Sequence, residues 1–216
     1  MAGRAGGGVS GPVHIVGAGP GVGASVARRF TRAGLVARDP GRLGGTAASL
    51  RDAGIDVATA VADATDPAAL TAALAELAER QGPPEVLCFS PLPDVERIRP
   101  VLETTAADLE AALALNVVGA AAAVRSVLPA MRAAGRGRLL FVTGSAVVSP
   151  SPARAASAVA GFAEKSYVDL LAEALADSPL EVAHLVVQGA IGPGLRHEPD
   201  AVADRLLATR RYAVLT

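Results

Sequence analysis

Short apolar runs alternate along the chain with alanine-rich stretches of helical period. The apolar runs are almost uninterrupted, which is typical of strands buried on both faces of a parallel sheet. They predict six strands, at residues 13–16, 35–37, 55–61, 86–89, 139–142 and 182–187. Strands that alternate with helices in this way predict an α/β fold with a doubly wound parallel sheet in a single domain.

Prolines and glycines predict where the helices begin and end. A capping side chain before a proline suits the first turn of a helix, and three such pairs occur, at Asp39-Pro40, Asp66-Pro67 and Ser151-Pro152. Thr105 and Asp108 have the spacing of a capping box. Glycines favour helix ends, and four stand where helices are expected to stop, at Gly34, Gly54, Gly82 and Gly135.

A glycine-rich loop, within IVGAGPGVGASVARRF at residues 15–30, follows the first predicted strand and opens a helix. Backbone N–H groups at the start of a helix attract anions, and glycines let a pyrophosphate approach the backbone closely. The pattern predicts a dinucleotide site formed by Gly17, Gly19, Gly21, Val22 and Gly23. The alternative is a tight turn that binds nothing.

Composition narrows the classes of partner. The 216 residues are 51% apolar but only 3% aromatic, and the net formal charge is −1, so no global field attracts nucleic acid or an anionic membrane. The lone cysteine, Cys88, cannot form an internal disulfide, which favours a reducing cytoplasm. No uninterrupted apolar run is of membrane-spanning length, and residues 1–12 lack the apolar core of a secretory signal. We expect residues 1–12 to be a flexible tail and residues 13–216 to be the domain.

The spacing Gly17-xxx-Gly21-x-Gly23 resembles the TGxxxGxG loop of the short-chain dehydrogenase/reductase family, whose fold is Rossmann-type. The resemblance continues along most of the chain and implies further cofactor contacts. Arg38, in LVARDPGRL, matches a basic position that favours NADP, with an ordinary exposed arginine as the alternative. Asp63, in VADATD, matches a residue that contacts adenine, or it serves a turn. Ser90, in CFSPLPD, stands where the family has its NNAG segment beside the nicotinamide.

The family's catalytic residues are matched only in part. Asn116 matches the asparagine of an NVxG segment, and Ser145, in VTGSAVV, matches the catalytic serine. The family's Tyr-x-x-x-Lys pair is absent: Ser157 stands in the tyrosine place and Gly161 in the lysine place. Because a serine hydroxyl is a weaker acid than a phenol and glycine carries no charge, the usual proton donor is missing.

The remaining candidates for chemistry are few. Histidine has a suitable pKa for a general acid, and His197 is the candidate replacement, with an ordinary surface role as the alternative. His14 and His184 alternate into predicted buried strands and are expected to be structural. Lys165, the only lysine, is expected to be solvated, and Tyr167 is expected to pack against a helix.

Two departures from the family concern the fold. The segment TRAGLVARDP is several residues short between the first helix and the second strand, which predicts a shortened second strand. The chain ends at RRYAVLT, without the family's usual last elements, which predicts a shortened C-terminal part.

Three functions remain open. The first is an NADP(H)-binding oxidoreductase that acts on a small carbonyl or hydroxyl substrate with an atypical site; NAD is the alternative cofactor. The second is an isomerase, cyclase or dehydratase whose loops offer Asp94, Glu96 and Gln188. The third is a silent nucleotide- or partner-binding protein, which needs no cofactor if the loop is a remnant. The two long alanine-rich helices predict a homodimer or homotetramer or, for the third function, a pair with an active relative; no nucleic acid or membrane partner is expected.

Overall fold

Seven parallel strands form one sheet in the computed structural model, which describes residues 11–216. The spatial order is β3-β2-β1-β4-β5-β6-β7. The strands are β1 Val13–Val16, β2 Arg32–Ala37, β3 Asp56–Val61, β4 Val86–Phe89, β5 Gly137–Gly144, β6 Leu180–Val187 and β7 Tyr212–Leu215. The predicted doubly wound parallel sheet is therefore confirmed.

Helices cover both faces of this sheet. They are α1 Val22–Ala27, α2 Pro40–Asp52, α3 Pro67–Gln81, α4 Ala106–Leu113, α5 Ala120–Ala134, α6 Ala155–Ala174 and α7 Pro199–Ala208. A π-helical segment, Ala114–Gly119, joins α4 to α5. Side chains alternate along each strand between two buried clusters, so that Ile15 packs on the face of α1, α2 and α7, and Val16 packs on the face of α3, α5 and α6.

The strand order reverses between β1 and β4, which pair in register from Val13↔Val86 to Val16↔Phe89. In open α/β sheets the loops at the carboxyl ends of the strands beside such a reversal form the binding crevice. The glycine loop follows β1 and the segment that begins with Ser90 follows β4. The topology therefore brings both predicted cofactor segments to one edge of the sheet.

The second strand is not the three-residue stub that we expected. β2 has six residues, and all six pair with β3. The missing length falls on α1, which has only six residues. Gly34, expected to end a helix, lies inside β2, where a Cβ would stand 2.7 Å from Cδ2 of the buried His14 ring. The glycine makes room for that ring. Because glycines usually mark helix ends, Gly34 led to a predicted strand that began three residues too late.

The C-terminal part also differs from expectation, because a seventh strand follows α7. β7 pairs in parallel with β6 from His184↔Tyr212 to Val187↔Leu215. Its residues are half-buried or exposed, so the segment lacks the continuous apolar pattern from which the other strands were predicted. Ser151-Pro152 likewise opens a single 3-10 turn, Pro152–Arg154, and α6 begins only at Ala155.

One long helical run, from Ala106 to Ala134, includes α4, the π-helical segment and α5. By length and composition alone it would suffice to cross a membrane. In this fold it packs against α3 and α6. Its first turn is closed by the predicted capping box, in which the Thr105 side chain accepts from the Asp108 amide and Asp108 accepts from the Thr105 amide.

Candidate functional site

Gly17 fixes the glycine loop against the segment after β4. Its φ is +85°, in the left-handed region that favours glycine, and a Cβ would overlap the backbone of Pro91. The amides of Gly17 and Ala18 both donate to the Val36 carbonyl at 3.0 Å, which ties the loop to the end of β2. A glycine is therefore required here by the loop's own conformation, whether or not a ligand binds.

Beyond Gly17 the loop exposes an open stretch of backbone. A Cβ at Gly19 or Gly21 would meet nothing within 4 Å. The amides of Gly19, Gly21, Val22 and Gly23 donate to no acceptor within the described residues. Four free N–H donors beside two positions without side chains suit the oxygens of a pyrophosphate, so the residues present fit a dinucleotide. Since α1 is short, the loop amides themselves would supply most of this attraction.

The other predicted cofactor residues lie at the same edge of the sheet. Arg38 is exposed and directly follows β2, two residues after the carbonyl that anchors the loop. Ser90 is partly exposed, and its amide donates to the Val16 carbonyl at 3.0 Å. Asp63 has a turn role, because its Oδ1 accepts from both the amide and the hydroxyl of Thr65 at 2.9 Å.

The two serines lie on segments that pack together. Ser145 begins the 3-10 turn Ser145–Val147 directly after β5, and Ser157 lies in the first turn of α6, partly exposed. One turn further along α6, a Cβ on Gly161 would stand 2.8 Å from Cγ2 of Val147. Val147 therefore fills the space beside the position where the family has its lysine.

Asn116 is bonded to a residue that the sequence analysis did not single out. Its Nδ2 donates to Oε2 of Glu164 at 2.5 Å, although 48 residues separate the two. Glu164 lies on α6, is only 2% exposed, and its Oε1 has no partner in the described part of the chain. Burial raises the pKa of Glu164 to about 8, against the opposing effect of the Asn116 hydrogen bond. In the sequence, the one sign of Glu164 was its position seven residues after Ser157, which places the two residues on the same face of a helix.

His197 is buried inside its own loop rather than at the surface. Its Nε2 lies 2.9 Å from the Gln188 carbonyl, and its backbone exchanges hydrogen bonds with Ala190 and Gly192. These bonds tie together the two ends of residues 188–198, between β6 and α7. Of the polar candidates after β4, Asp94 accepts from the Glu96 amide at 3.1 Å and so caps a short 3-10 turn.

Lys165 is not the solvated lysine that we expected. Its side chain is 29% exposed, and Nζ lies 2.5 Å from Oδ2 of Asp169 and 4.7 Å from the ring centroid of Tyr212. The attraction of Asp169 and of the Tyr212 ring holds the ammonium against β7. Tyr167 packs against the buried cluster beneath α6, as predicted.

The two strand histidines are buried, as predicted. The His184 ring lies 2.7 Å from Oγ1 of Thr143, whereas both ring nitrogens of His14 lack partners among the described residues. Burial lowers the pKa of each to about 4, and Lys165 adds to the effect at His184. Both rings are therefore neutral at physiological pH.

Comparison with known proteins places this geometry in a family. Residues 12–198 match the sequence model described as short chain dehydrogenase. No curated protein sequence matches the chain.

Solved structures share the fold at low sequence identity. An NADPH-bound short chain oxidoreductase from Pseudomonas aeruginosa PAO1, described as containing an atypical catalytic center, has a TM-score of 0.85 at 17% identity, over 95% of each chain. A metagenomic short-chain oxidoreductase in complex with NADP has a TM-score of 0.82 at 23% identity, over 96% of this chain and 97% of that one. An NADH-dependent reductase complexed with NAD has a TM-score of 0.83 at 15% identity, over 96% and 95%. Because the family match spans most of the sequence, the chain belongs to the short chain dehydrogenase family.

Proposed function

We propose that the protein is an NADP(H)-binding oxidoreductase that acts on a small carbonyl or hydroxyl substrate with an altered proton donor. The observation that carries the proposal is the open glycine loop at the carboxyl edge of the sheet, where four amides have no acceptor among residues 11–216. Family membership and the NADPH and NADP held by two structural neighbours support it. A nicotinamide cofactor, when bound, supplies or takes up hydride.

Each cofactor residue has a distinct proposed role. The amides of Gly19, Gly21, Val22 and Gly23 hold the pyrophosphate, and Gly17 shapes the loop. The Arg38 guanidinium meets a ribose 2′-phosphate, for which its planar fork of N–H donors is suited. Asp63 reaches the adenine with the carboxylate oxygen that its turn leaves free, and Ser90 borders the nicotinamide half. These assignments follow the positions of the segments around the β1–β4 reversal.

For the substrate, we propose that the Ser145 hydroxyl donates to the carbonyl oxygen and so orients and polarises it. Ser157 lies on the neighbouring helix and is available to pass a proton. Asn116 acts indirectly in the site, through the hydrogen bond that it donates to the carboxyl group of Glu164. We assign His197 to positioning the loop after β6, because its ring is engaged by the Gln188 carbonyl.

A matched pair of variants tests the glycine loop as the nucleotide site. Gly19→Ala adds a methyl group where a phosphate would lie, and Gly44→Ala adds one on the exposed outer side of α2; neither Cβ meets protein atoms within 4 Å. We expect neither variant to melt below the wild type, with Gly44→Ala somewhat more stable because alanine favours the helix interior, and Gly19→Ala alone to lose at least tenfold in NADPH affinity, measured by cofactor fluorescence. Equal affinities for the two variants would contradict this site.

We further propose a homo-oligomer formed through α5 and α6. Within the helical run Ala106–Ala134, only 28% of the most apolar 18-residue stretch is buried in the single chain. On the outer side of α6, Val159, Phe162 and Leu170 are also exposed. A second copy of the chain would cover both surfaces by helix packing. Phe162→Asp should then lower the mass measured by sedimentation. A wild type that already sediments as a monomer would refute the proposal.

A further inference from the structure

One face of α6 carries three positions that matter for proton transfer: Ser157, Gly161 and Glu164. They are spaced i, i+4 and i+7, so they line one side of the helix. Neither of the first two can replace an acidic phenol tuned by a cation. Glu164 is the ionisable member of the three, and it is buried on the side that faces the π-helical segment.

The π-helical segment accounts for the partner of Glu164. Such segments are rare and occur often at functional sites. Here the segment Ala114–Gly119 packs against α6 and directs the Asn116 amide to Oε2 of Glu164. At its far end it is pressed against the turn after β3, because a Cβ on Gly119 would overlap the Ala64 carbonyl oxygen. The π-helical segment that carries Asn116 is therefore fixed both at α6 and at the turn after β3.

The other oxygen of Glu164 has no acceptor or donor among the described residues. A buried carboxylate without a counter-charge costs several kcal/mol, so the protonated form is favoured. On the elements packed against α6, Asp108 on α4 is held by Thr105, His184 on β6 lies 2.7 Å from Thr143, and Glu181 on β6 pairs with Arg210. Lys165 on α6 itself pairs with Asp169. Only burial and the Asn116 amide act on the Glu164 pKa, which lies at about 8.

We propose that Glu164 is the proton reservoir of this active site and that its proton reaches the substrate through water and the Ser157 hydroxyl. The inference rests on the proposed oxidoreductase function. Seven residues of helix separate the two Cα atoms by about 10 Å, and helical side chains lean toward the N-terminus, so Glu164 reaches back toward Ser157. The relay requires one or two waters to span the remaining distance, past the Val147 side chain that lies beside Gly161.

In the reduction of a carbonyl, the hydride for the carbonyl carbon would come from a bound nicotinamide cofactor, while the carbonyl oxygen takes the hydroxyl proton of Ser157. Ser157 is reprotonated through water as the O–H bond of Glu164 breaks. Glu164 is left as a carboxylate that accepts a hydrogen bond from Asn116, and it recovers a proton from solvent before the next turnover.

Glu164→Gln tests the reservoir, because it keeps the volume and an oxygen that accepts from Asn116 but cannot release a proton. The control is Glu173→Gln, on the exposed side of the same helix. In the wild type without cofactor, infrared spectroscopy should detect a protonated carboxyl that ionises near pH 8, and Glu164→Gln alone should remove that band. A carboxyl already ionised at pH 7 would overturn the proposal, whatever the activity.

Kinetics provide the second readout. We expect Glu164→Gln to bind NADPH within twofold of the wild type, to lose about 10²-fold or more in kcat for carbonyl reduction, and to lose the fall of kcat above pH 8. Glu164→Asp, which retains an acid, should recover part of kcat and the basic limb, and it substitutes if the glutamine variant fails to fold. Wild-type kcat and an unchanged pH profile in Glu164→Gln would overturn the reservoir. A wild type that reduces no carbonyl would instead overturn the proposed function.

Discussion

The stability of the protein should pass through a maximum near pH 6.5, because three buried groups titrate in opposite senses. The pKa values of His14 and His184 are lowered from 6.5 to about 4, so between these values the unfolded chain binds more protons and stability rises with pH. The pKa of Glu164 is raised from 4.5 to about 8, so the folded chain binds the extra proton. The stabilising contribution of Glu164 to the free energy of unfolding is fully present below pH 4.5 and is lost as the pH rises to about 8.

Between pH 6.5 and 8 both histidines are neutral in the folded state, whereas in the unfolded state they are half protonated at pH 6.5 and lose those protons, which adds about 0.8 kcal/mol of stability. Over the same interval the contribution of Glu164 falls by about 1.6 kcal/mol, so the free energy of unfolding should fall by about 1 kcal/mol in all. That is a measurable part of the 5–15 kcal/mol typical of a domain. It corresponds to a decrease in Tm of about 2–4 °C for a chain of this size.

Urea denaturation at intervals from pH 5 to 8.5 measures this effect. The wild type and the exposed control Glu173→Gln should both lose stability above pH 6.5, whereas Glu164→Gln should gain about 0.8 kcal/mol from pH 6.5 to 8, because only the histidines then contribute. A wild type as stable at pH 8 as at pH 6.5 would refute the reasoning. So would a Glu164→Gln variant that weakens in parallel with the wild type, because the fall would then come from another group.

Three further substitutions probe the geometry. Gly17→Ala should lower the free energy of unfolding by about 2–4 kcal/mol, because alanine is strained at a φ of +85° and its Cβ overlaps the segment after β4; urea denaturation at the wild-type level would contradict this. His197→Ala should leave the Gln188 carbonyl without its partner and speed amide exchange in residues 188–198, and unchanged exchange would show that the ring does not hold this loop. Lys165→Met should raise the pKa of His184, followed by NMR, because Lys165 lowers it; a constant value would place the ammonium elsewhere.

The fold could be predicted wherever burial made the pattern uniform. β1 and β4 are buried along their whole length, and their bounds match the apolar runs. β2 was cut short because Gly34 has the usual meaning of a helix end, whereas here it accommodates the His14 ring. β7 is a half-exposed edge strand, so its four residues lack a continuous buried pattern.

The site was predictable where chemistry depends on spacing along the chain. Glycines between a strand and a helix define a loop by local conformation, and a serine after a strand is likewise a local signal. Spacing places Glu164 on the helical face of Ser157 but does not show its role, because that role depends on Asn116, which lies 48 residues away and is brought to it by the π-helical segment. Likewise, the separation of residues along the sequence does not show that Val147 fills the space beside Gly161.

Titration with NADPH and with NADH, followed by cofactor fluorescence, tests the central proposal most directly. We expect the wild type to bind NADPH at least tenfold more tightly than NADH, and Arg38→Ala to lose this preference. The control Arg42→Ala removes an exposed guanidinium on the first turn of α2, paired with Asp39 at 3.7 Å, and should keep the preference. Failure of the wild type to bind either nucleotide would contradict the proposed function.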